Sequence, residues 1–194
     1  MDSHHWKKVN FELFSSVTSI GKCAFESCSS LTQISIPSSV TSIGDYAFDV
    51  CLSLIQISIP SSVTSIGEGV FAGCKKLDKF NIISCQEKRI EYHEDQFLIY
   101  KSEPNNENYD ILVWTKSTLS VVNIPSFIKI IKCFAFDNCS SLTQVSIPSS
   151  VTSIGKCAFN YCSSLTQIEI PSKINVGSLD INSNTRTIRI WKNF

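Results

Sequence analysis

Apolar side chains recur along this chain on a fixed grid. Leu31, Ile34, Ile36, Val40 and Ile43 are followed, 23 residues later, by Leu54, Ile57, Ile59, Val63 and Ile66. The framework reads L-x-x-I-x-I-P-x-x-V-x-x-I-x-x-x-A-F-x-x-C before the next Leu. It returns almost letter for letter as LTQVSIPSSVTSIGKCAFNYCSS at residues 142–164. Ile34 and Ile36 alternate with Gln33 and Ser35, the period-2 signature of a strand with one buried face. Their β-branched side chains suit a strand. The proline that follows has no N–H to give to a ladder and ends it. Val40 and Ile43 then point back inward. Gly21, Gly44, Gly67 and Gly155 fall where a turn calling for φ > 0 is expected. Phe25 and its equivalents supply bulk beside a small alanine.

The L-x-x-I-x-I lines begin at Leu31, Leu54, Leu77, Leu119, Leu142 and Leu165, spaced by 23 residues except for the 42 between Leu77 and Leu119. One coil therefore carries 19 extra residues. The Ala-Phe pair recurs at 24–25, 47–48, 135–136 and 158–159, with Val70-Phe71 as a variant. Cysteine recurs at 28, 51, 74, 139 and 162, and proline at 37, 60, 125, 148 and 171, with Ile83 in the coil that opens the insertion. A period of this length means a solenoid in which each unit covers the next. The grid predicts one domain over 1–194, of about eight coils with degenerate ends counted.

These residues closely resemble the BspA-like subgroup of leucine-rich repeats, whose pattern LxxIxIPxxVxxIgxxAFxxC is matched over 17–83 and 119–174. The resemblance implies a right-handed curved solenoid, with a parallel β-sheet on the concave face and loops and short helical turns on the convex face. It also implies a non-enzymatic module for protein binding or adhesion at a cell surface, with a host or extracellular protein as partner. The family motif contains no catalytic residue, so none is carried over, and no cofactor is implied.

Both ends depart from the grid. Residues 1–16 read as an N-terminal capping half-coil, with Phe11 and Leu13 in the register of Ile34 and Ile36, and Val17 in that of Val40. Residues 172–194 read as a C-terminal cap whose last strand lies in TRTIRIW, with Ile188 and Ile190 inward. Arg186, Arg189 and Lys192 there fit charge protection of a sheet edge, or a small basic patch. Residues 84–118 form the insertion. Phe97–Tyr100 and Ile111–Trp114 read as two strands of a hairpin turning at Pro104–Asn108. Between Gln86 and Asp110 seven acidic and three basic residues give a local charge of −4. With Tyr100, Tyr109 and Trp114, and Tyr92 nearby, this is either a structural variant of the coil or a recognition element.

The other candidate surface is the outward face of the strands. Its side chains are Gln33 and Ser35, Gln56 and Ser58, Lys79 and Asn81, Val121 and Asn123, Gln144 and Ser146, and Gln167 and Glu169. Rows one strand apart, about 4.8 Å, would form a ladder of amides and hydroxyls. Such a ladder is nearly uncharged, so affinity would have to come from area or from multiple copies.

Bulk properties narrow the partners. The formal net charge is zero, which argues against electrostatic attraction to nucleic acid or an anionic membrane. No run of 18 apolar residues occurs, so no membrane insertion is expected. MDSHHWKKVNFELF lacks the apolar stretch of a secretion signal, which opens the alternative of a cytoplasmic, intracellular scaffold. Nine cysteines invite other chemistry, but five recur once per coil where a small buried hydrophobe suits a tight corner. No metal site is expected from the C-x4-C pairs Cys23/Cys28 and Cys157/Cys162, which lack histidine partners. Cys85 and Cys133 lie off the grid as candidate reactive thiols. A Cys85–His93 pair lacks an orienting third group, and Glu91, Glu94 and Asp95 read as a solvated loop. Asn138-Cys139-Ser140 matches a glycosylation acceptor.

Overall fold

The structure, a computed structural model, describes residues 16–84 and 88–174, together with the backbone of 8–10 and 187–191. The chain forms two compact units, residues 1–98 and 99–194. Each is a parallel β-solenoid built from two ladders of strands.

In the first unit the longer ladder is β1 (Lys8–Asn10), β3 (Gln33–Ser35), β5 (Gln56–Pro60) and β7 (Lys79–Ile83), paired in that order and parallel. The shorter ladder is β2 (Ser19–Ile20), β4 (Ser42–Ile43) and β6 (Ser65–Ile66). Each coil therefore runs strand, proline turn, two-residue strand, glycine, and a run of tight turns back to the next Leu. Leu31, Ile34, Ile36, Val40 and Ile43 are all buried, as are their equivalents from Leu54 to Ile66. Between the ladders the phenylalanines stack: Phe25 on Phe48 at 5.2 Å and 4°, Phe48 on Phe71 at 5.8 Å and 9°. Phe80 meets Phe71 edge-on at 5.4 Å and Tyr92 at 5.2 Å, so the column ends on an aromatic of the inserted strand β8 (Ile90–His93). The Tyr92 hydroxyl donates to either Asp78 O at 3.2 Å or Asp95 O at 3.0 Å.

The second unit repeats the plan. β11 (Val121–Asn123), β13 (Gln144–Ser146), β15 (Gln167–Pro171) and β16 (Thr187–Trp191) form its longer ladder. β10 (Ile111–Thr115), β12 (Ile130–Ile131) and β14 (Ser153–Ile154) form the shorter one, with β9 (Phe97–Tyr100), within which the division of the units falls, beside β10. Phe136 stacks on Phe159 at 4.7 Å.

Three expectations are corrected. First, the return segments contain no helix among the described residues. Each has two left-handed residues four apart: Cys23 and Ser27, Tyr46 and Val50, Phe134 and Asn138, Cys157 and Tyr161, and in one coil Gly69 and Gly73. A left-handed residue every fourth position cannot propagate a right-handed helix. The segment is instead a chain of β-turns closed by bonds such as Glu26 N–H to Cys23 O and Cys28 N–H to Phe25 O.

Second, Gly21, Gly44, Gly67 and Gly155 do not have positive φ; among the described glycines only Gly69 and Gly73 do. Three of the four are required for another reason. A Cβ on Gly44 would lie 2.6 Å from Lys22 N, and those on Gly67 and Gly155 would collide with Asp45 N and Cys133 N. The backbones of adjacent coils touch there. Gly21 has no such neighbour.

Third, Val9, not Phe11, lies opposite Ile34. A slip of two residues keeps every side chain on its face, so alternation alone does not fix that register. Phe11 and Leu13 fall outside the described residues, as do Arg186 and Lys192. Ile188 and Ile190 lie opposite Ile168 and Ile170.

Candidate functional site

The outward positions of the longer ladders line up in rows. In the first unit Gln33, Gln56 and Lys79 are register partners in one row, and Ser35, Ser58 and Asn81 in the next. In the second unit the rows are Val121, Gln144 and Gln167, continued by Thr187, and Asn123, Ser146 and Glu169, continued by Arg189. All are exposed or half-exposed where their side chains are described, while the residue between each pair is buried. The rows are cross-linked only lightly: Asn81 Nδ2 donates to Ser58 Oγ at 3.3 Å, and Gln167 Nε2 to Glu169 Oε1 at 3.4 Å. Val121, 51% exposed, places an apolar group at the head of the second unit's glutamine row.

The aromatic candidates separate. Tyr100 and Tyr109 are half-buried, each beneath a cation: Lys132 Nζ is 5.8 Å from the Tyr100 ring and Lys101 Nζ 5.3 Å from Tyr109. Trp114 is only 6% exposed and is a core residue of β10, whose five positions are all buried. It leaves the set of surface candidates. A strand covered on both faces reads as a continuous apolar run, and Ile111–Trp114 is one.

The loop between β9 and β10 is held from within. Asp110, 5% exposed, accepts the Ser102 N–H at 2.8 Å, the Ser102 hydroxyl at 2.7 Å and the Asn106 amide at 3.1 Å; Asn106 also donates to Ser102 Oγ at 2.9 Å. Burial alone would raise the carboxyl, but the Ser102 hydrogen bonds and the Lys129 charge outweigh it and hold it below the ordinary aspartate range. In the β8–β9 turn, Glu94 and Asp95 both have positive φ, and Gln96 N–H closes on His93 O at 3.0 Å. His93 Nδ1 lies 2.7 Å from Glu91 Oε1. Cys85 falls outside the described residues. Among the described residues no three His, Cys, Asp or Glu side chains cluster as a metal site, and no helix is long and apolar enough to cross a membrane.

Four of the five recurring cysteines pack as small hydrophobes, while Cys28 is only half-buried. Cys51, Cys74, Cys139 and Cys162 are buried and free, and the thiols of Cys51, Cys74 and Cys162 donate to Phe25 O, Phe48 O and Phe136 O at 3.1 Å. Hydrogen bonding with Cys51, and burial, hold the Cys74 thiol well above its ordinary range; Cys162 and burial do the same for Cys139. Such thiols are poor nucleophiles. Cys133 is half-buried. The Asn138 side chain of the glycosylation-like triplet donates to Asp137 Oδ2 at 2.5 Å and Cys139 is buried.

Comparisons with known proteins accord with this geometry. A model of the BspA type leucine rich repeat region matches residues 4–97 and 113–194 in six copies. A leucine-rich cell surface protein of Faecalibacterium prausnitzii is similar over 96% of this chain and 59% of its own, at 26% identity and a TM-score of 0.68. A leucine-rich repeat protein of Eubacterium ventriosum is similar over 95% and 59%, at 25% identity and a TM-score of 0.59. The pneumococcal vaccine antigen PcpA shares the fold, at 16% identity and a TM-score of 0.51 over 91% of this chain and 61% of its own. The chain thus spans about three-fifths of the length of these structures. No curated protein matches it. With the family model covering nearly the whole solenoid, the chain belongs to the BspA-type leucine-rich-repeat family.

Proposed function

We propose that this chain is a non-enzymatic protein-binding module that acts in adhesion at a cell surface and reads an extended protein partner on the outward rows of its longer ladders. The observation that carries this reading is the register itself. Gln33, Gln56 and Lys79, and Val121, Gln144 and Gln167, stand side by side with exposed or half-exposed side chains. Amide and hydroxyl groups repeated at the strand spacing of about 4.8 Å offer many weak, similar contacts, so affinity grows with the number of coils engaged. The description of the F. prausnitzii protein as a cell surface protein supports the surface placement.

The experiment has two steps. Intact source cells are labelled with a membrane-impermeant biotin reagent; labelling of this protein is expected, and its absence beside a properly behaved intracellular control would favour an intracellular scaffold. Extracellular host proteins are then screened for binding to the chain and to the Gln56→Lys, Gln144→Lys double variant. The variant is expected to fold as the parent and to lose binding, because long charged side chains would project from both glutamine rows. Undiminished binding by the folded variant would exclude the rows.

A further inference from the structure

The second unit contains a cleft of about 570 Å³ that is separate from the outward rows. One wall is the loop after β9, with Asn105, Asn106, Glu107 and Asn108; the other is formed by the segments after Pro125 and Pro148, with Ser126, Phe127, Lys129, Ser150 and Thr152. Asp110 closes it. Its size falls within the roughly 300–1,000 Å³ of small-ligand clefts.

Two independent observations mark it. The loop wall is preorganised, because the buried Asp110 carboxylate collects Ser102 and Asn106 and so fixes the segment from which Asn105 and Asn108 project. A wall held in place before binding loses little freedom on binding. The repeat wall departs from its own consensus where it faces the loop. The coils read Pro-Ser-Ser-Val-Thr at 37–41, 60–64 and 148–152, but Pro-Ser-Phe-Ile-Lys at 125–129. Phe127 stands where Ser39, Ser62 and Ser150 stand, and Lys129 where Thr41, Thr64 and Thr152 stand. Both lie in the cleft.

We propose that this cleft binds a neutral saccharide. Asparagine amides offer paired donors and acceptors that match vicinal hydroxyls. The Ser150 and Thr152 hydroxyls already donate to Ile128 O at 2.8 Å and Lys129 O at 3.2 Å, so they present acceptor lone pairs. Phe127, half-buried, lies in the cleft wall, where an aromatic ring would meet the C–H side of a pyranose. The charges of Glu107 and Asp110 against Lys129 leave the cleft net negative, which disfavours phosphate, sulfate or an acidic sugar. Phe127 is the one apolar side chain among the lining residues, so an apolar peptide segment would find no set of pockets here.

The test is saturation-transfer NMR of the full chain with lactose, diacetylchitobiose and mannobiose. Transfer to at least one is expected, with a Kd of roughly 1 mM. Phe127→Ser, which installs the residue of the other coils, should weaken it by about tenfold with an unchanged melting curve. Should that variant melt lower, Lys129→Thr is read in its place. Gln144→Lys should leave saccharide binding untouched, so failure here is distinguishable from failure of the outward rows. No transfer at roughly 10 mM of any of the three, or equal transfer to the variants, overturns the proposal. So does Phe127-dependent binding of tetralysine alone, which would make the cleft a cationic-peptide site.

Discussion

Gly44→Ala tests whether glycine is demanded by contact between coils or by backbone conformation. The added methyl would sit 2.6 Å from Lys22 N and 2.8 Å from Gly21 C. That is roughly 1 Å inside ordinary contact. The neighbours are backbone atoms and cannot swing aside as a side chain would. Separating the coils would strain the Ser19–Ser42 and Ile20–Ile43 pairing and the bond from Gly44 N–H to Ile20 O at 2.8 Å. Overpacking of this kind costs about 1–3 kcal/mol, and a weakened hydrogen bond adds about 1 kcal/mol. Against this, alanine narrows the unfolded ensemble and returns about 0.4–1 kcal/mol. A net loss of about 1–3 kcal/mol is expected. Gly21→Ala is the matched control, with nothing within 4 Å of its Cβ; it should gain about 0.4–1 kcal/mol. Lys132 is a control already in the chain. It stands 23 residues before Gly155, donates to Leu112 O at 2.9 Å, and carries a Cβ because the segment beneath it is the hairpin strand rather than a coil turn. Urea unfolding of both alanine variants, followed by circular dichroism and by exchange of the Gly44-region amides, decides the matter. If Gly44→Ala is as stable as Gly21→Ala, the close approach of the coils is not what selects glycine.

Val50, 37% exposed at φ 56°, is a β-branched residue in the left-handed region, where the equivalent positions hold Ser27, Gly73, Asn138 and Tyr161. Val50→Asn should stabilise by about 1–2 kcal/mol and raise Tm accordingly; an unchanged or lower Tm would contradict the strain. Phe48, fully buried between Phe25 and Phe71, should cost about 3–5 kcal/mol as Phe48→Ala. The half-buried Phe25 at the stack's end should cost less than half as much, and equal losses by urea titration would refute the stacking account. Asp110 has its folded pKa depressed, so the stability it contributes is present above the ordinary aspartate range and is lost as pH falls through the depressed value. Acid titration of unfolding should therefore be steeper for the parent than for Asp110→Asn, and parallel curves would remove Asp110 as the loop's anchor.

The strands, their register within the repeats and the buried Leu-Ile-Val-Phe set were legible because each follows from spacing alone. The left-handed positions were not. Only one coil marks them with glycine, at 69 and 73, and elsewhere, apart from Asn138, they hold Cys, Ser, Tyr, Val or Phe, residues that signal nothing about φ. The helical turns expected on that side failed for this reason. The strand Ile90–His93 was missed because its turn uses Glu94-Asp95, without the Asn or Gly that usually marks positive φ. Of the surface candidates, the Gln/Ser rows followed from alternation. Trp114 was grouped with the tyrosines of the insertion as a surface candidate, whereas β10 is covered on both faces. Phe127 and Lys129 were readable as departures from the repeat, but only the loop packed opposite gives them a role.

The hydroxyl and thiol links between coils have a genetic consequence. Thr41, Thr64, Thr143 and Thr152 each donate to a carbonyl 23 residues earlier, Ser39, Ser62 and Ser150 to one 22 earlier, and Cys51, Cys74 and Cys162 to one 26 earlier. Each bond thus reaches only the preceding coil. Excising residues 41–63 would hand Thr64 the Thr18 carbonyl that Thr41 now uses. Unequal recombination between such alike repeats would therefore add or remove whole coils without creating a mismatched junction, and would lengthen or shorten the outward rows in the same event.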